Sequence, residues 1–427
     1  MRAALLTAIG LLVGCSGPAP GGQDAATPDS GSAPDAGADA GSGADGGTDA
    51  GAPPDGGSCP ATGGQDDAGT YTEVTVAGDP GPTLGIFDPS LFYPEDAGMG
   101  LMTYSSVPDQ RSVHTRMAAS QDHGLTWTYV QAVDQPTAQT ISNPDLSVCG
   151  SATCPGRRIH EVSSLAVDLL DPNPAAAFKV FTHSYFVADL ADGGFKLVPN
   201  VGIISMYTTQ SPSATAVWSE TRLFGWNGPS PESSTSVQHN ITTDPTLAAL
   251  SDCAALTEPG VFVRGGTLDL AIQCEAYSSV TQTISTDVRL IRSEDHGATW
   301  TFISKLVTPT DAAALGAQGP GGPSLGAPDL YEVDGHIYLL VTPNGPVPFG
   351  NGYRGCLDLE VDDIDAGTVA RCAGVPEVRF AYSGVDGIFT GACTAAPGAT
   401  ATGVLVPMAY FLPTLSFHIY ASHDGPP

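Results

Sequence analysis

Ser120-Gln121-Asp122-His123-Gly124-Leu125-Thr126-Trp127 and Ser293-Glu294-Asp295-His296-Gly297-Ala298-Thr299-Trp300 both read S-x-D-H-G-x-T-W. The spacing predicts a tight turn in which the Asp carboxylate accepts backbone N–H groups, the Gly supplies a positive φ and the Trp folds back over the hairpin. Each copy follows an alternating, strand-like run, Val113 to Ala118 in the first and Val288 to Ile291 in the second. A repeated turn of this kind is a scaffold element, so it speaks for architecture and says little about chemistry.

Weaker copies extend the pattern. Asp363 to Val369 reads as a decayed one, Ser422-His423-Asp424-Gly425 as a truncated one and Ser211 to Trp218 as a faint one. The five lie near residues 122, 213, 295, 365 and 424, a spacing that suits four-stranded units with elaborated loops repeated around a ring. Upstream of four of these turns lies a pair of strands: Ser90 to Tyr93 with Gly100 to Tyr104, Val162 to Val167 with Phe178 to His183, Val261 to Val263 with Thr267 to Ile272, and Leu330 to Val333 with His336 to Val341. The third and fourth pairs turn at Gly265-Gly266 and Asp334-Gly335, both favoured hairpin dipeptides. A last unit, Val404 to Phe411 and Leu415 to Ala421, lacks its outermost strand, and Tyr71 to Val76 is placed to supply it and close the ring. The expected fold is all-β, a five-bladed β-propeller. The alternative is a six-bladed, sialidase-like ring with one blade hidden between Thr128 and Arg222. The two S-x-D-H-G-x-T-W stretches resemble the Asp-box of sialidases and related β-propellers.

The ends and the composition bound where such a domain works. Arg2, the apolar run Ala3 to Val13 and Leu12-Val13-Gly14-Cys15 read as a lipoprotein signal peptide over residues 1–15, with Cys15 as the lipidated residue. The run is too short to span a bilayer. Residues 16–57 are almost wholly Gly, Ala, Pro, Ser, Thr and Asp, with seven Asp and no Lys or Arg. Such a stretch cannot bury a core and reads as a solvated tether. This leaves residues 58–427 for the propeller, on a chain exported and lipid-anchored to the outer membrane or cell surface of a bacterium. With 45 acidic against 15 basic residues the formal charge is −30. That balance excludes nucleic acid and leaves the membrane only the lipid anchor, because both surfaces need a positive footprint. A monomer is expected.

Nine Cys minus Cys15 leave eight, an even number that suggests four disulfides in an exported chain. Cys149 and Cys154 are close enough to staple a loop. Cys253 with Cys274, and Cys356 with Cys372, would each clamp a hairpin, which leaves Cys59 and Cys393 to join the two ends of the domain. No Cys or His cluster has metal-ligand spacing, so no metal or cofactor is expected beyond a structural cation such as calcium on the propeller axis.

Chemistry in such a ring belongs at the start of the innermost strands. Aligning the units there matches Asp88-Pro89-Ser90 with Glu258-Pro259-Gly260 and Ala327-Pro328-Asp329, and the second unit offers Ile159-His160-Glu161-Val162-Ser163. At this point the chain resembles the five-bladed glycoside hydrolases of family 43. The resemblance implies an Asp general base from the first blade, a carboxylate that tunes pKa from the second and a Glu general acid from the third. On this chain those are Asp88, Glu161 and Glu258. Glu161 stands where the family has Asp, and Pro259-Gly260 reverses the family's Gly-Pro order. The Arg that sialidases carry on their first strand is absent, and Asp88 sits in that region.

Asp329, Tyr93 and His160 are candidate substrate contacts. Tyr93, Tyr185, Trp226, Tyr331 and Tyr353 are candidates for a sugar-stacking wall, against the alternative of blade packing. Each carboxylate alone also suits a strand-end cap or a cation ligand. The implied function is a surface-tethered, inverting glycoside hydrolase acting on a glycan; the alternative is a non-catalytic propeller that binds a glycan or protein.

Overall fold

The computed structural model describes residues 64–65 and 71–422, apart from the segments 95–98, 143–148, 226–236, 279–282, 317, 320–321, 348–349, 354, 384–388, 396–402 and 411–413. The expectations for Cys15, the 16–57 tether, Cys59, Trp226 and the side chain of Tyr353 lie outside the described residues, as does the turn after Ser422.

A short strand β1 (Thr72–Val74) precedes the first antiparallel sheet, β2 (Gly85–Phe92), β3 (Gly100–Asp109), β4 (Ser112–Ser120) and β5 (Trp127–Ala132). The second sheet is β6 (Thr153–Val167), β7 (Phe178–Asp189), β8 (Phe195–Thr209) and β9 (Ser219–Gly225). The third is β10 (Ala255–Arg264), β11 (Thr267–Ser278), β12 (Thr283–Ser293) and β13 (Thr301–Val307). After a one-turn helix α1 (Pro309–Ala314) comes the fourth, β14 (Leu325–Val333), β15 (His336–Val347), β16 (Cys356–Asp363) and β17 (Val378–Tyr382). The last hairpin is β18 (Val404–Tyr410) with β19 (Ser416–Ser422). Each strand pair expected at the start of a unit is present. The stretch from Thr128 to Arg222 holds no additional four-stranded unit among the described residues. It supplies most of β5, the second sheet up to the middle of β9, and a flanking strand, Thr137–Ser142, on the first half of β6.

Alternation along the strands explains why these sheets stack face to face. Leu270 and Ile272 of β11 join Phe181, Ile204 and Phe224 of the second sheet, whereas Ala271 between them joins Leu325, Leu339 and Val341 of the fourth. Tyr338 and Leu340 of β15 point the other way, against Val404, Val406 and Met408 of β18. Leu405, Ile419 and Val74 then pack on Met102, Tyr104 and Trp127 of the first sheet, and Met117 of the first packs on Leu165, Val180 and Tyr207 of the second. Period-two side chains feed a separate apolar layer on each face. The fold is therefore an all-β propeller. A fully buried aliphatic side chain contributes about 1.5–3 kcal/mol against a net 0.5–1.5 for a hydrogen bond, so these layers, more than the ladders, hold neighbouring sheets together.

The ring closes where the sequence expects it to. β1 pairs antiparallel with β19 through Thr72–Ala421, Glu73–Tyr420 and Val74–Ile419. Val76 departs from that pairing and instead runs parallel to β5 at Trp127. A parallel bridge from Phe417 to Gly85 completes the seam. Gly85 has φ +114°, and a Cβ there would run into the Phe417 carbonyl, so both backbone conformation and space demand glycine.

Two of the expected disulfides form, Cys149–Cys154 and Cys253–Cys274. Two expectations are corrected, because Cys356 bonds Cys393 with Cα atoms 6.2 Å apart, which rules out both Cys356–Cys372 and Cys59–Cys393. Cys372 is itself disulfide-bonded. The reason is geometric. Cys356 opens β16, eight residues long, and Cys372 follows the turn at its other end. At about 3.3 Å per residue the two lie too far apart to bond.

Candidate active site

The turns at one end of the sheets settle as their sequence implies. Asp122 Oδ1 accepts the Thr126 N–H at 2.9 Å and Oδ2 the Thr126 hydroxyl at 2.7 Å; the Asp295–Thr299 pair repeats this at 2.8 and 2.6 Å. Ser120 and Ser293 hydroxyls take the Gly124 and Gly297 N–H groups at 2.9 and 2.7 Å. Positive φ falls on His123 and His296 as well as on the glycines. Trp127 and Trp300 are buried beneath.

Midway along each innermost strand the backbone does something different. Asp88, Val162, Glu258 and Ala327 all adopt positive φ, 45–49°, at matching places, and Ala392 does so at 58° ahead of the strand Thr394–Ala395. The ladder slips beside these residues, between Phe87 and Ser90, Thr257 and Gly260, and Gly326 and Asp329. Such bulges turn a strand and re-aim side chains. The equivalent triplets are thus Asp88-Pro89-Ser90, Val162-Ser163-Ser164, Glu258-Pro259-Gly260, Ala327-Pro328-Asp329 and Ala392-Cys393-Thr394, and residues from all five line one small cavity, although Glu258 itself, like Glu161, is not part of its lining. Relative to the sequence alignment this moves the second unit by one, so that Val162 and not Glu161 occupies the bulge.

Asp88 lines the cavity, with 4% of its surface exposed. Burial raises its carboxyl to about 7, against the pull of a hydrogen bond from the Ser105 hydroxyl. Glu161 (5% exposed) is raised well above the ordinary carboxylate range, first by burial and then by the charge of Asp88; Tyr185 hydrogen-bonds it and acts against this, and Glu258 adds to the rise. Glu258 (6% exposed) accepts the Ala327 N–H on Oε2 at 2.9 Å. The structure therefore brings Asp88 and Glu258, from two further sheets, each within electrostatic reach of Glu161. They are not one of the groups, among the described residues, whose oxygens all lie within 4.8 Å, so they do not form a tight cation cage.

Asp329 also lines the cavity, and its carboxyl rises to about 7 through burial despite hydrogen bonds from Thr394 and from the Ala395 and Leu330 N–H groups. The other expected contacts are corrected. Tyr93 leaves the far end of β2 and stacks on His123 of the turn, ring centroids 6.0 Å apart, because the hairpin rather than the cavity receives its ring. His160 is enclosed between the first two sheets, with Nδ1 2.7 Å from Asp134, both nitrogens 3.2 Å from the Tyr207 hydroxyl and Nε2 3.4 Å from Glu220, so its partners are structural. Tyr331 stacks on Tyr338 and donates to Asp358, again between sheets. Of the described members of the proposed aromatic wall, Tyr185 hydrogen-bonds Glu161, with His183 tilted against it at 5.2 Å. Burial lowers the His183 imidazole to about 3, so it adds no positive charge near neutral pH.

Sequence reasoning missed Ser105, Ser163 and Gln273. Ser163 lines the cavity with a buried hydroxyl that has no hydrogen-bond partner among the described residues. Nothing in their local pattern marks these residues, since Ser105 and Gln273 arrive from second strands whose register the bulges displace.

A propeller with several titratable carboxylates buried at the cavity end of its inner strands is the class that fold and site define. No family model matches the chain, and no curated protein sequence does. Among solved structures it is similar to a thermostable family-43 glycoside hydrolase, at 11% identity and TM-score 0.43, over 81% of this chain and 91% of that one. It is also similar to the native arabinanase Arb43A of Bacillus subtilis (12%, TM-score 0.42, 78% and 92% of the two chains). A third similar structure is the exo-inulinase of Aspergillus awamori (12%, TM-score 0.48), of which the alignment spans 62% against 82% of this chain.

Proposed function

We propose that this chain is a five-bladed β-propeller glycoside hydrolase of the inverting type. Asp88 is the general base that takes a proton from the attacking water. Glu258 is the general acid that gives its proton to the departing glycosidic oxygen, and Glu161 sets the ionisation of both. The observation that carries this reading is that buried Glu161 feels the charges of both Asp88 and Glu258, each from a different sheet. Mutual repulsion and poor solvation push such pKa values apart, so that one group ionises while another keeps its proton. A separation of about 6.5–9.5 Å between base and acid would admit the water. Four four-stranded sheets, a last hairpin extended by β1, and five matching triplets support the blade count. Asp329, on the cavity wall, binds a sugar hydroxyl in this reading. We further propose that the chain is exported and anchored through Cys15 on the 16–57 tether; the disulfides suit an oxidising compartment.

The test is to incubate the protein with plant, host and microbial glycans, following reducing-end release and the anomer first formed by NMR. Inverted product, lost in Asp88→Asn, is the expected result. Glycan retained without cleavage would replace catalysis by a binding role.

A further inference from the structure

One N–H beside the candidate acid serves two acceptors. The Ala327 N–H donates to Glu258 Oε2 and to Gln273 Oε1, each at 2.9 Å. Gln273 is set in this orientation by its other end, where Nε2 donates to Glu275 Oε1 at 3.3 Å. Gln273 and Glu275 are alternate residues of β11 and therefore share a face of the strand, and both are buried. The close approach depends on Gly326, because a Cβ there would collide with Gln273 Oε1.

We infer that Gln273 is a positioning residue that holds the proton on Glu258, an inference that rests on the acid role proposed above. An amide oxygen carries no hydrogen, and an ionised carboxylate sharing one N–H with it is repelled by it, a repulsion that a proton on the carboxylate relieves. A carboxylic acid at Glu258 resolves the conflict by donating to Gln273 Oε1 while still accepting from Ala327. The charged groups around Glu258 act in the same direction: Glu161 of β6 interacts with it directly and is itself coupled to Asp88 of β2, and Glu275 of β11 is bonded to the other end of Gln273. At Asp88 burial raises the carboxyl to about 7, but its bonded neighbour, the Ser105 hydroxyl, is a donor that pulls it back toward the ionised form. The bonded partners of the two carboxyls thus differ in the sense that an acid and a base require.

The experiment is a ¹³C NMR titration of protein labelled at glutamate side-chain carboxyls, with the Glu258 signal assigned by its loss in Glu258→Gln. In Gln273→Leu, which keeps the bulk and removes the acceptor, the Glu258 midpoint should fall by about one pH unit, a tenfold loss of proton affinity. Gln273→Asn, too short to reach, should act alike and serves if the leucine variant does not fold. A midpoint unmoved in the folded variant, or a wild-type midpoint below the ordinary glutamate value of about 4.3, overturns the inference. The readout needs no substrate. A shifted midpoint in a protein that cleaves no glycan supports the role of Gln273 and sinks the enzymatic reading, whereas cleavage with an unmoved midpoint does the reverse. With a substrate in hand, the basic limb of the kcat/KM profile should move to lower pH in Gln273→Leu by the same amount.

Discussion

Asp88 meets two demands that pull against each other. Its carboxyl is raised to about 7 by burial, so ionising it costs folding free energy that sets in as pH rises past the unfolded value near 4 and is complete above about 7. General base catalysis needs that same ionised form. Asp88→Asn should therefore abolish most turnover, by about 10²–10⁴-fold, because the amide keeps the shape but takes no proton. The same change should raise Tm at pH 8 and leave it nearly unchanged at pH 4, where the wild-type carboxyl is already neutral; an equal effect at both pH values would argue against the buried charge. Wild-type kcat/KM should climb on its acid limb near pH 7. Glu258→Gln should impair substrates with poor leaving groups far more than aryl glycosides, whose leaving oxygen needs no proton. Comparing kcat/KM across a leaving-group series checks this.

At the level of single elements, the two S-x-D-H-G-x-T-W turns were fully legible, because every bond in them is local. Hydrogen bonds from the Thr126 hydroxyl and N–H hold the Asp122 carboxyl below its usual range. At Asp295 burial pushes upward but is outweighed by the equivalent bonds from Thr299. For an acid lowered in this way the stabilisation is present above the unfolded pKa and is lost as pH falls through the folded one. Asp122→Asn and Asp295→Asn should accordingly lower Tm at pH 7, with the difference from wild type shrinking below about pH 4, and should leave turnover intact. The bulged triplets were legible only in part. Pro89, Pro259 and Pro328 mark three of them, but Val162-Ser163-Ser164 and Ala392-Cys393-Thr394 carry no such sign. Positive φ at non-glycine residues is imposed by the converging strands and not by local preference.

The whole molecule is held at two kinds of joint. The seam between the last and first sheets depends on β1 and on Gly85. Gly85→Ala should lower Tm markedly, since the left-handed φ and the Phe417 carbonyl both oppose a side chain; an unchanged melting curve would contradict the closed seam. The Cys356–Cys393 bond spans 37 residues and ties the fourth sheet to a wall of the cavity. Replacing both cysteines by serine should cost about 2–4 kcal/mol, read by denaturant unfolding. No helix among the described residues is long and apolar enough to cross a membrane.

By itself the sequence determined the repeating turns, the alternating strands, the pairing of the Thr72–Val74 part of the Tyr71 to Val76 stretch with the last hairpin, and the equivalent places of Asp88 and Glu258 on their innermost strands. These follow from periods of two and from short-range turn chemistry, which one strand or one hairpin already contains. Tertiary structure decided the rest. It moved the second bulge from Glu161 to Val162, turned Tyr93 and His160 into packing contacts, joined Cys356 to Cys393 and brought Gln273 to the candidate acid. Each of these depends on how far one strand slips against its neighbour and on which sheet faces which, and both are fixed only when the apolar layers between sheets close.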